Sequence, residues 1–309
     1  PEVTALTRAH NVNQGGSGLV IYELSEDCPV SGVQVGDHFF PGYPGLVDKD
    51  TVLAAFFTLA YNQDTGTRIF IKAVDLAGNT TRAGFAKYLK KKRFNKDKIQ
   101  ISDDFLQSKM PEFDVPDNGQ TDNPLLAKFI TVNNRIRKEN YARIIEITSK
   151  TEPAILWKGA FLRLANSKRM AGFADHRTYY YQDEKIDEQT HLGIDLAAYS
   201  RDKVTAANHG KVVYADNLGI YGQTVIIDHG FGLFSMYSHL SRINVRPDQI
   251  VAKNESIGLT GNTGMAGGDH LHFGMLVQGI FVNPVEWWDA SWIKTTVTAT
   301  LEDVRSATP

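Results

Sequence analysis

Histidines cluster in one part of the chain, and imidazole is the side chain best suited both to bind a transition metal and to transfer protons near neutral pH. Six of the nine histidines fall in one window: His191, His209, His229, His239, His270 and His272. The window opens with His191-Leu-Gly-Ile-Asp195 and closes with His270-Leu-His272. Cys28 is the single cysteine, which is too few for a thiolate site. A metal here would therefore be held by histidine and carboxylate.

The spacing of His191 and Asp195 needs a bend to be useful. Four residues of straight strand span about 13 Å, which is too far for one ion. Gly193 stands between them and permits a tight turn. We therefore expect both side chains to approach one metal.

His270 and His272 are two apart in a strand-like run, so both should project from the same face. One can bind the metal while the other faces whatever binds there. We expect His239 to share a face with Tyr237 at the end of another strand, residues 233–240. There it would supply a second free imidazole.

These residues belong to a larger set of short motifs, and the set resembles a known family. The motifs are His191-Leu-Gly-Ile-Asp195, Tyr237-Ser-His-Leu240, Gly258-Leu-Thr-Gly-Asn-Thr-Gly264, His270-Leu-His-Phe273 and Asn283-Pro284. In this order they resemble the lysostaphin-type, or LytM, zinc metallopeptidases of family M23, which cut peptide cross-links of peptidoglycan. The resemblance extends over residues 160–290.

The resemblance implies a role for each residue of the set. His191, Asp195 and His272 would bind Zn²⁺, and His239 and His270 would be an unliganded catalytic pair. The fold implied is an antiparallel β core with the metal in a groove. The function predicted is that of a zinc metalloendopeptidase that hydrolyses peptidoglycan cross-links.

Two positions depart from the family pattern. Asp269 replaces a frequent proline, and Gly274 replaces a frequent glutamate. Asp269 either orients a histidine as a hydrogen-bond acceptor or faces solvent.

A tyrosine upstream of the first ligand often polarises the substrate carbonyl in relatives; the candidates are Tyr179, Tyr180 and Tyr181. His229 and His209 are interpreted as structural and surface residues, and Trp287 and Trp288 as C-terminal packing.

The predicted fold class is mainly β, in three regions. Residues 1–86 contain strand-like runs separated by Gly and Pro turns, which favours a small immunoglobulin-like β-sandwich. Residues 87–154 form a basic and helical connecting region. Residues 155–309 form the LytM-like (M23) metallopeptidase domain, with strands predicted at residues 211–215, 224–228, 233–237 and 270–277.

The connecting region begins with a basic run, residues 87–94, interpreted as a solvated edge strand in preference to a contact with anionic polymer or lipid. A capped helix is predicted to start at Ser102, and Pro111, Pro116 and Gly119 to break the chain into a loop. From Pro124 an amphipathic helix follows, with apolar positions at Leu125, Phe129, Val132, Ile136 and Tyr141. Residues 144–148 either continue this helix or start a strand.

Composition and charge argue against two classes of protein, those that bind nucleic acid and those that span a membrane. A net charge of −2 argues against nucleic-acid binding, and no apolar run reaches the roughly 18 residues that span a bilayer. The chain starts with Pro-Glu-Val, which we interpret as a form from which an export signal or membrane anchor has been removed. With a peptidoglycan peptide as the expected partner, the location expected is the periplasm or cell envelope. The oligomeric state is not indicated.

Two alternatives to an active peptidase follow from the same resemblance. Some relatives have lost ligands and act as activators or scaffolds of other cell-wall hydrolases. All five positions are occupied in this chain, which favours the enzyme. The second alternative is an intact enzyme held latent by its N-terminal regions.

Overall fold

The computed structural model describes residues 1–115 and 123–307, and it is mainly β with mostly antiparallel sheets, as predicted. Residues 1–100 form the strands β1 (Val3–Ala5), β2 (His10–Asn13), β3 (Ser17–Leu24), β4 (Val30–Val35), β5 (His38–Pro41), β6 (Val52–Thr58), β7 (Ile69–Val74), β8 (Thr80–Ala83), β9 (Lys87–Lys90) and β10 (Lys96–Gln100). Sheets β1-β3-β6 and β5-β4-β7-β8 share a buried core. Its rows of β-branched and aromatic side chains make the predicted sandwich; its immunoglobulin-like character stays a prediction.

The basic run forms an edge strand. Within the described residues, β9 pairs only with β2, in parallel, and Lys90 and the three residues after it are exposed. Positive charge on such an edge opposes pairing with another chain.

The helices of the connecting region are α1 (Asp103–Lys109), α2 (Pro124–Thr131) and α3 (Arg137–Ile147). The Ser102 hydroxyl caps α1 by accepting from the Phe105 N–H at 3.2 Å, and a 3-10 turn (Met110–Glu112) containing Pro111 ends it. Pro116 and Gly119 lie outside the described residues. A π-helical turn (Val132–Ile136) joins α2 to α3, so residues 144–147 continue the helix. This helix buries Phe129, Val132 and Ile144.

The second half of the chain contains a large sheet and two small ones. Its strands are β11 (Lys168–Ala171), β12 (Asp175–Tyr181), β13 (Glu184–His191), β14 (Ile194–Ala197), β15 (Lys203–Thr205), β16 (Gly210–Asn217), β17 (Gln223–Asp228), β18 (Leu233–Leu240), β19 (Arg242–Ile243), β20 (Ile250–Val251), β21 (Ser256–Leu259), β22 (Leu271–Val277) and β23 (Ile280–Val282). The large sheet runs β11-β14-β22-β18-β17-β16-β20, with β23 on β22. Small sheets are β15-β21-β19 and β10-β12-β13. The four predicted strands lie within β16, β17, β18 and β22, apart from His270, which precedes β22.

Three helices that the sequence pattern did not predict follow β23: α4 (Pro284–Trp288), α5 (Ala290–Ile293) and α6 (Ala299–Ala307). A π-helical turn (Lys294–Thr298) joins the last two. Ile293, Val297 and Val304 recur at helical spacing and are all buried. Burial of this face outweighs the β propensity of the threonines between them. Within the described residues, no helix is long and apolar enough to span a membrane.

The N-terminal sandwich and the second half share one hydrophobic core. Trp287 is fully buried, and its ring centroid lies 5.7 Å from that of Phe56 in β6. The Glu286 carboxylate is also buried and accepts from Asn13 Nδ2 at 2.7 Å and from the Ser17 N–H at 2.9 Å. In addition, β10 pairs in parallel with β12, across the boundary expected at residue 155.

Candidate metal centre

Two neighbouring strands of the large sheet bring Asp195 and His272 together. Asp195 in β14 is the cross-strand partner of His272 in β22. Directly paired residues of antiparallel strands project on the same face with Cβ atoms about 5 Å apart. The register alone therefore places a carboxylate beside an imidazole.

His191 reaches the same point from another sheet. It is the last residue of β13, and its Nδ1 lies 2.8 Å from the carbonyl oxygen of Gly172. A carbonyl only accepts, so Nδ1 carries the hydrogen and Nε2 keeps its lone pair. The chain bends at Gly193, as expected, but the glycine is required for space: a Cβ there would lie 2.5 Å from Cε1 and Nε2 of His272.

The three ligand atoms form a triangle whose edges are all 2.9 Å, joining His191 Nε2, His272 Nδ1 and Asp195 Oδ1. Hydrogen atoms cannot satisfy all three edges: two nitrogens that both donated to the carboxylate would point hydrogens at each other. Three lone pairs converging on one point instead suit a cation. Two imidazoles and a carboxylate are a donor set found in catalytic zinc sites. The residues present therefore fit Zn²⁺.

Arg177 supports this triangle from behind. Its Nη2 donates to Asp195 Oδ2 at 2.8 Å, so the carboxylate is held by its second oxygen while the first faces the histidines. Arg177 projects from β12, whose neighbour β13 carries His191. One small sheet thus provides both a candidate ligand and the residue that orients another candidate ligand.

His239 and His270 stand next to the triangle without belonging to it. Their ring centroids are 4.9 Å apart. Nδ1 of His239 lies 2.8 Å from the Thr263 carbonyl oxygen, and Nδ1 of His270 lies 2.8 Å from that of Gly268. Both Nδ1 atoms therefore donate, and Nε2 of His270 lies 3.6 Å from Asp195 Oδ1.

The expectation that His239 shares a face with Tyr237 is wrong. Strand alternation would place them together, but His239 has a φ of 61°, which turns its side chain out of the alternation. The Tyr237 hydroxyl is buried in contact with the Ala207 N–H at 2.7 Å and with Ser235. His239 instead lies beside His270 and His272.

Electrostatics differ among these groups. Burial, reinforced by His270 and His272, holds the pKa of His239 well below its usual range. Burial also lowers the pKa of His272 to about 4. For Asp195, burial favours the neutral acid, but the surrounding histidines, His191 foremost, hold its pKa well below the ordinary value. For His270, burial opposes the charge, but Asp195 raises its pKa above the ordinary value. Asp195 is thus an anion beside a neutral His272, as the binding of a metal ion requires.

Other candidate residues take different places. The Asp269 carboxylate accepts from Ser200 Oγ at 3.1 Å and from the Arg201 N–H at 3.0 Å, so it stabilises a turn. Among the three tyrosines, Tyr179 lines the cavity at the centre, whereas Tyr181 donates to Asp103 Oδ1 at 2.8 Å. The ring of Tyr180 lies 5.7 Å from Lys98 Nζ.

Residues interpreted as structural lie away from the centre. His229 is fully buried, with Nε2 at 2.7 Å from Ser235 Oγ and Nδ1 at 2.7 Å from the His209 carbonyl. His209 itself is exposed. At Gly274 a Cβ would lie 3.1 Å from the Phe281 ring, which leaves little room for the glutamate of relatives.

A cavity of about 860 Å³ opens above the centre and is bounded by the connecting region on its other side. We call residues 103–112, which comprise α1 and the 3-10 turn, the wall segment. Lys109 of this segment donates to the Asn262 carbonyl oxygen, and Glu112 Oε2 accepts from the Gly264 N–H at 3.0 Å. The wall segment therefore touches the loop that holds His239.

Sequence reasoning missed four of the residues that shape this cavity. Arg177, Lys109 and Glu112 lie outside every motif, so no local signal marks them. Tyr221 precedes β17, and its ring centroid is 5.6 Å from that of His272. It also lies outside the motifs given above, so its position too becomes visible only in the fold.

The residues that carry this centre match a known family. Residues 189–284 match the model described as Peptidase family M23, so the chain contains an M23 peptidase domain. The motif-based resemblance is thereby confirmed at the level of the family.

Curated relatives and a solved structure agree with this placement. The chain is 38% identical over 96 residues to "Peptidoglycan DD-endopeptidase ShyA" of Vibrio cholerae, covering 31% of this chain and 22% of that protein. It is 36% identical over 96 residues to "Murein hydrolase activator NlpD" of Escherichia coli K12, covering 31% and 25%. These matches span a quarter or less of each relative. A solved peptidase M23 structure from Pseudomonas aeruginosa has a TM-score of 0.56 at 18% identity, over 90% of this chain and 94% of that one, so the overall fold is shared.

Proposed function

We propose that this protein is a zinc-dependent endopeptidase that hydrolyses peptide cross-links of bacterial peptidoglycan and is held latent by its wall segment. The observation that carries the proposal is the presence of five chemically competent side chains at one cavity. Three of them, His191, Asp195 and His272, supply the donor set. The other two, His239 and His270, are imidazoles that the donor set does not need.

The two free imidazoles have the geometry for proton transfer. Zinc, when bound, supplies a Lewis acid that makes water nucleophilic at neutral pH and polarises the scissile carbonyl. His239 and His270 are each fixed through Nδ1 by a backbone carbonyl, so their Nε2 atoms are pre-positioned. The imidazole that accepts the proton of the attacking water has an unprotonated Nε2. The other is protonated on both nitrogens and donates from Nε2 to the developing oxyanion.

Latency is supported by the contacts of the wall segment. It supplies one side of the cavity, and Lys109 and Glu112 bind the loop beside His239. A peptide approaching the centre from that side meets these side chains first. Removing the contacts of Lys109 and Glu112 should widen the entrance to the cavity.

The test compares release of muropeptides from purified peptidoglycan, measured by mass spectrometry, with zinc content measured on the same samples. His239→Ala and His270→Ala should abolish hydrolysis and keep about one zinc per chain. His191→Ala should lose both. The double variant Lys109→Met/Glu112→Gln should hydrolyse faster than the wild type. Loss of zinc in His239→Ala equal to that in His191→Ala would show that the ligand assignment is wrong.

A non-catalytic activator of other cell-wall hydrolases is the second candidate, favoured by the similarity to a murein hydrolase activator. This role predicts that zinc-loaded wild type and Lys109→Met/Glu112→Gln both release nothing by themselves. Either would then stimulate a separate murein hydrolase, and His239→Ala would stimulate it equally well.

Location and regional organisation belong to the same proposal. A peptidoglycan substrate would place the protein in the periplasm or cell envelope. We propose residues 1–86 as the sandwich region, 87–154 as the connecting region and 155–309 as the peptidase region. The names of the relatives support the substrate class.

A further inference from the structure

A buried lysine at the edge of the cavity is the starting observation. The Lys109 side chain is 8% exposed, and burying an ammonium is costly unless it is paired. Its Nζ donates to the Asn262 carbonyl oxygen and to Glu112 Oε1, the latter at 2.8 Å. Within the described part of the chain, the lysine is thus satisfied by a loop some 150 residues away and by its own neighbour.

Glu112 completes a two-point contact with the same loop. While Oε1 accepts from Lys109, Oε2 accepts from the Gly264 N–H at 3.0 Å. The loop therefore offers an acceptor at position 262 and a donor at position 264. One receives an ammonium and the other a carboxylate, and the two charges touch each other.

The loop is held in place by other parts of the fold, independently of the wall segment. Thr263 Oγ1 donates to the Leu240 carbonyl at 2.8 Å and accepts from the Gln223 N–H at 2.9 Å. Gly264 has a φ of 68°, and a Cβ there would lie 2.5 Å from the Gly222 nitrogen. Because these contacts come from β17, β18 and the turn before β17, the loop should keep its shape when the wall segment leaves.

This loop is also directly connected to the catalytic pair. The carbonyl of Thr263, between the two contact points, accepts from His239 Nδ1 at 2.8 Å. A ligand bound at positions 262 and 264 would therefore lie next to His239.

We propose that Asn262–Gly264 is a subsite for an ammonium and a carboxylate borne on one carbon of a peptide ligand, and that Lys109 and Glu112 occupy it as an intramolecular mimic. The class of ligand is a peptide whose side chain ends in an amino-acid centre, as in a diamino dicarboxylic acid residue. This inference rests on the proposed peptidase function and specifies which cross-link partner the site recognises. It also accounts for latency, since the mimic and the ligand compete for the same two backbone groups.

The test measures binding by calorimetry to the zinc-loaded chain of residues 1–309. Four L-Ala–γ-D-Glu–Xaa tripeptides, capped at both ends, differ only in the third residue. Xaa is meso-diaminopimelic acid, the same residue amidated at its side-chain carboxylate, L-lysine, or L-2-aminopimelic acid. The last three each lack one charge of the pair. The proteins are the wild type and Lys109→Met/Glu112→Gln, which removes both charges but retains side-chain volume.

We expect the double variant to bind the diaminopimelate probe at least tenfold more tightly than it binds each one-charge probe, since a charge-assisted hydrogen bond is worth about a factor of ten or more. The same probe should bind the wild type at least tenfold more weakly than it binds the variant. The matched control is Lys185→Met/Glu188→Gln, an exposed pair at the same spacing with side chains 51% and 43% exposed. This control should bind like the wild type.

Equal affinity of the four probes for the double variant would overturn the subsite, as would equal affinity of wild type and variant for the diaminopimelate probe. If the double variant misfolds, Glu112→Gln alone removes the competing carboxylate and should give the same ranking. Peptidoglycan hydrolysis is measured on the same samples. Discriminating binding without hydrolysis refutes the peptidase and keeps the subsite, whereas hydrolysis with equal binding refutes the subsite alone.

Discussion

Asp195 is held from both sides, and this decides how well it can serve a metal. Its Oδ1 faces two imidazole nitrogens at 2.9 Å, and its Oδ2 accepts from Arg177 Nη2 at 2.8 Å. Without the arginine the carboxylate could rotate or collapse onto a histidine. Groups that orient metal ligands in this way typically contribute about ten- to hundredfold in metal affinity.

Arg177→Gln should therefore weaken zinc binding about ten- to hundredfold, while leaving the five residues of the centre in place. The zinc affinity of Arg177→Lys should lie between those of the wild type and Arg177→Gln, because lysine keeps the charge but lacks the planar guanidinium group. Competition with a chromophoric chelator measures the affinity. Arg135→Gln is the control, since Arg135 makes an exposed ion pair with Glu139. Unchanged affinity in Arg177→Gln would contradict the orienting role.

Gly193 gives a second prediction at the residue scale. Gly193→Ala would place a Cβ 2.5 Å from the His272 ring, so we expect loss of zinc and about 1–3 kcal/mol lower stability. Gly84→Ala is the matched control, because a Cβ there meets nothing within 4 Å. Chemical denaturation measures the stability, and metal analysis measures the zinc content. A Gly193→Ala protein as stable as Gly84→Ala would show that the residues around position 193 can move to accommodate the methyl group.

At the scale of elements, β17 and β18 are joined by a buried histidine. His229 follows β17, and its ring bonds to Ser235 of β18 and to the His209 carbonyl. Burial lowers the pKa of His229 to about 4. The folded protein therefore favours the neutral ring, whereas the unfolded chain takes up a proton near pH 6.5.

His229 should make stability depend on pH with a definite sign. Its contribution is complete above about pH 6.5 and is lost as the pH falls toward 4, because only the unfolded state gains the proton. Between pH 7 and 4.5 the stability advantage of wild type over His229→Gln should shrink by about 2–3 kcal/mol. Urea unfolding at both pH values measures it, with exposed His209→Gln as control. A constant difference would contradict the burial argument.

At the scale of the whole molecule, the three regions of the chain pack as one body. Trp287 lies against Phe56, Trp157 and Phe161, with ring centroids 5.7 Å away in each case. The sandwich therefore covers apolar surface that the peptidase region would otherwise expose to water. Strand β10 adds a further link by pairing with β12.

Removing the first two regions should accordingly unfold the third. A chain starting at residue 155 should show no cooperative thermal transition. In the full chain, Trp287→Ala should lower stability by about 3–5 kcal/mol in one transition that includes the sandwich. Tyr88→Ala, at a side chain 68% exposed, is the control. A fragment from residue 155 that melts cooperatively and binds zinc would show that the region is autonomous.

The sequence predicts those features that are encoded by residues close together in the chain. His191, Asp195 and His272 stand in short motifs, and runs of β-branched and aromatic residues between glycine-rich turns signal β17, β18 and β22. Arg177, Lys109 and Glu112 act through contacts between distant segments, which no spacing encodes. The C-terminal helices were missed because their threonines have β propensity, while the buried face that stabilises the helix exists only against the rest of the core.

The wall segment is tethered at both ends, and this sets what can displace it. Upstream, β10 is hydrogen-bonded to β12; downstream, Asn133 and Asn134 at the α2–α3 junction donate to Asp187 Oδ2 at 2.6 and 2.8 Å. A doubly anchored occupant has an effective concentration that reaches the millimolar range for short connections. A dilute soluble peptide competes poorly at such values. A polymer that presents many copies of the same group along one strand competes well. The proposed subsite therefore predicts a response to intact cell-wall material and none to its soluble fragments.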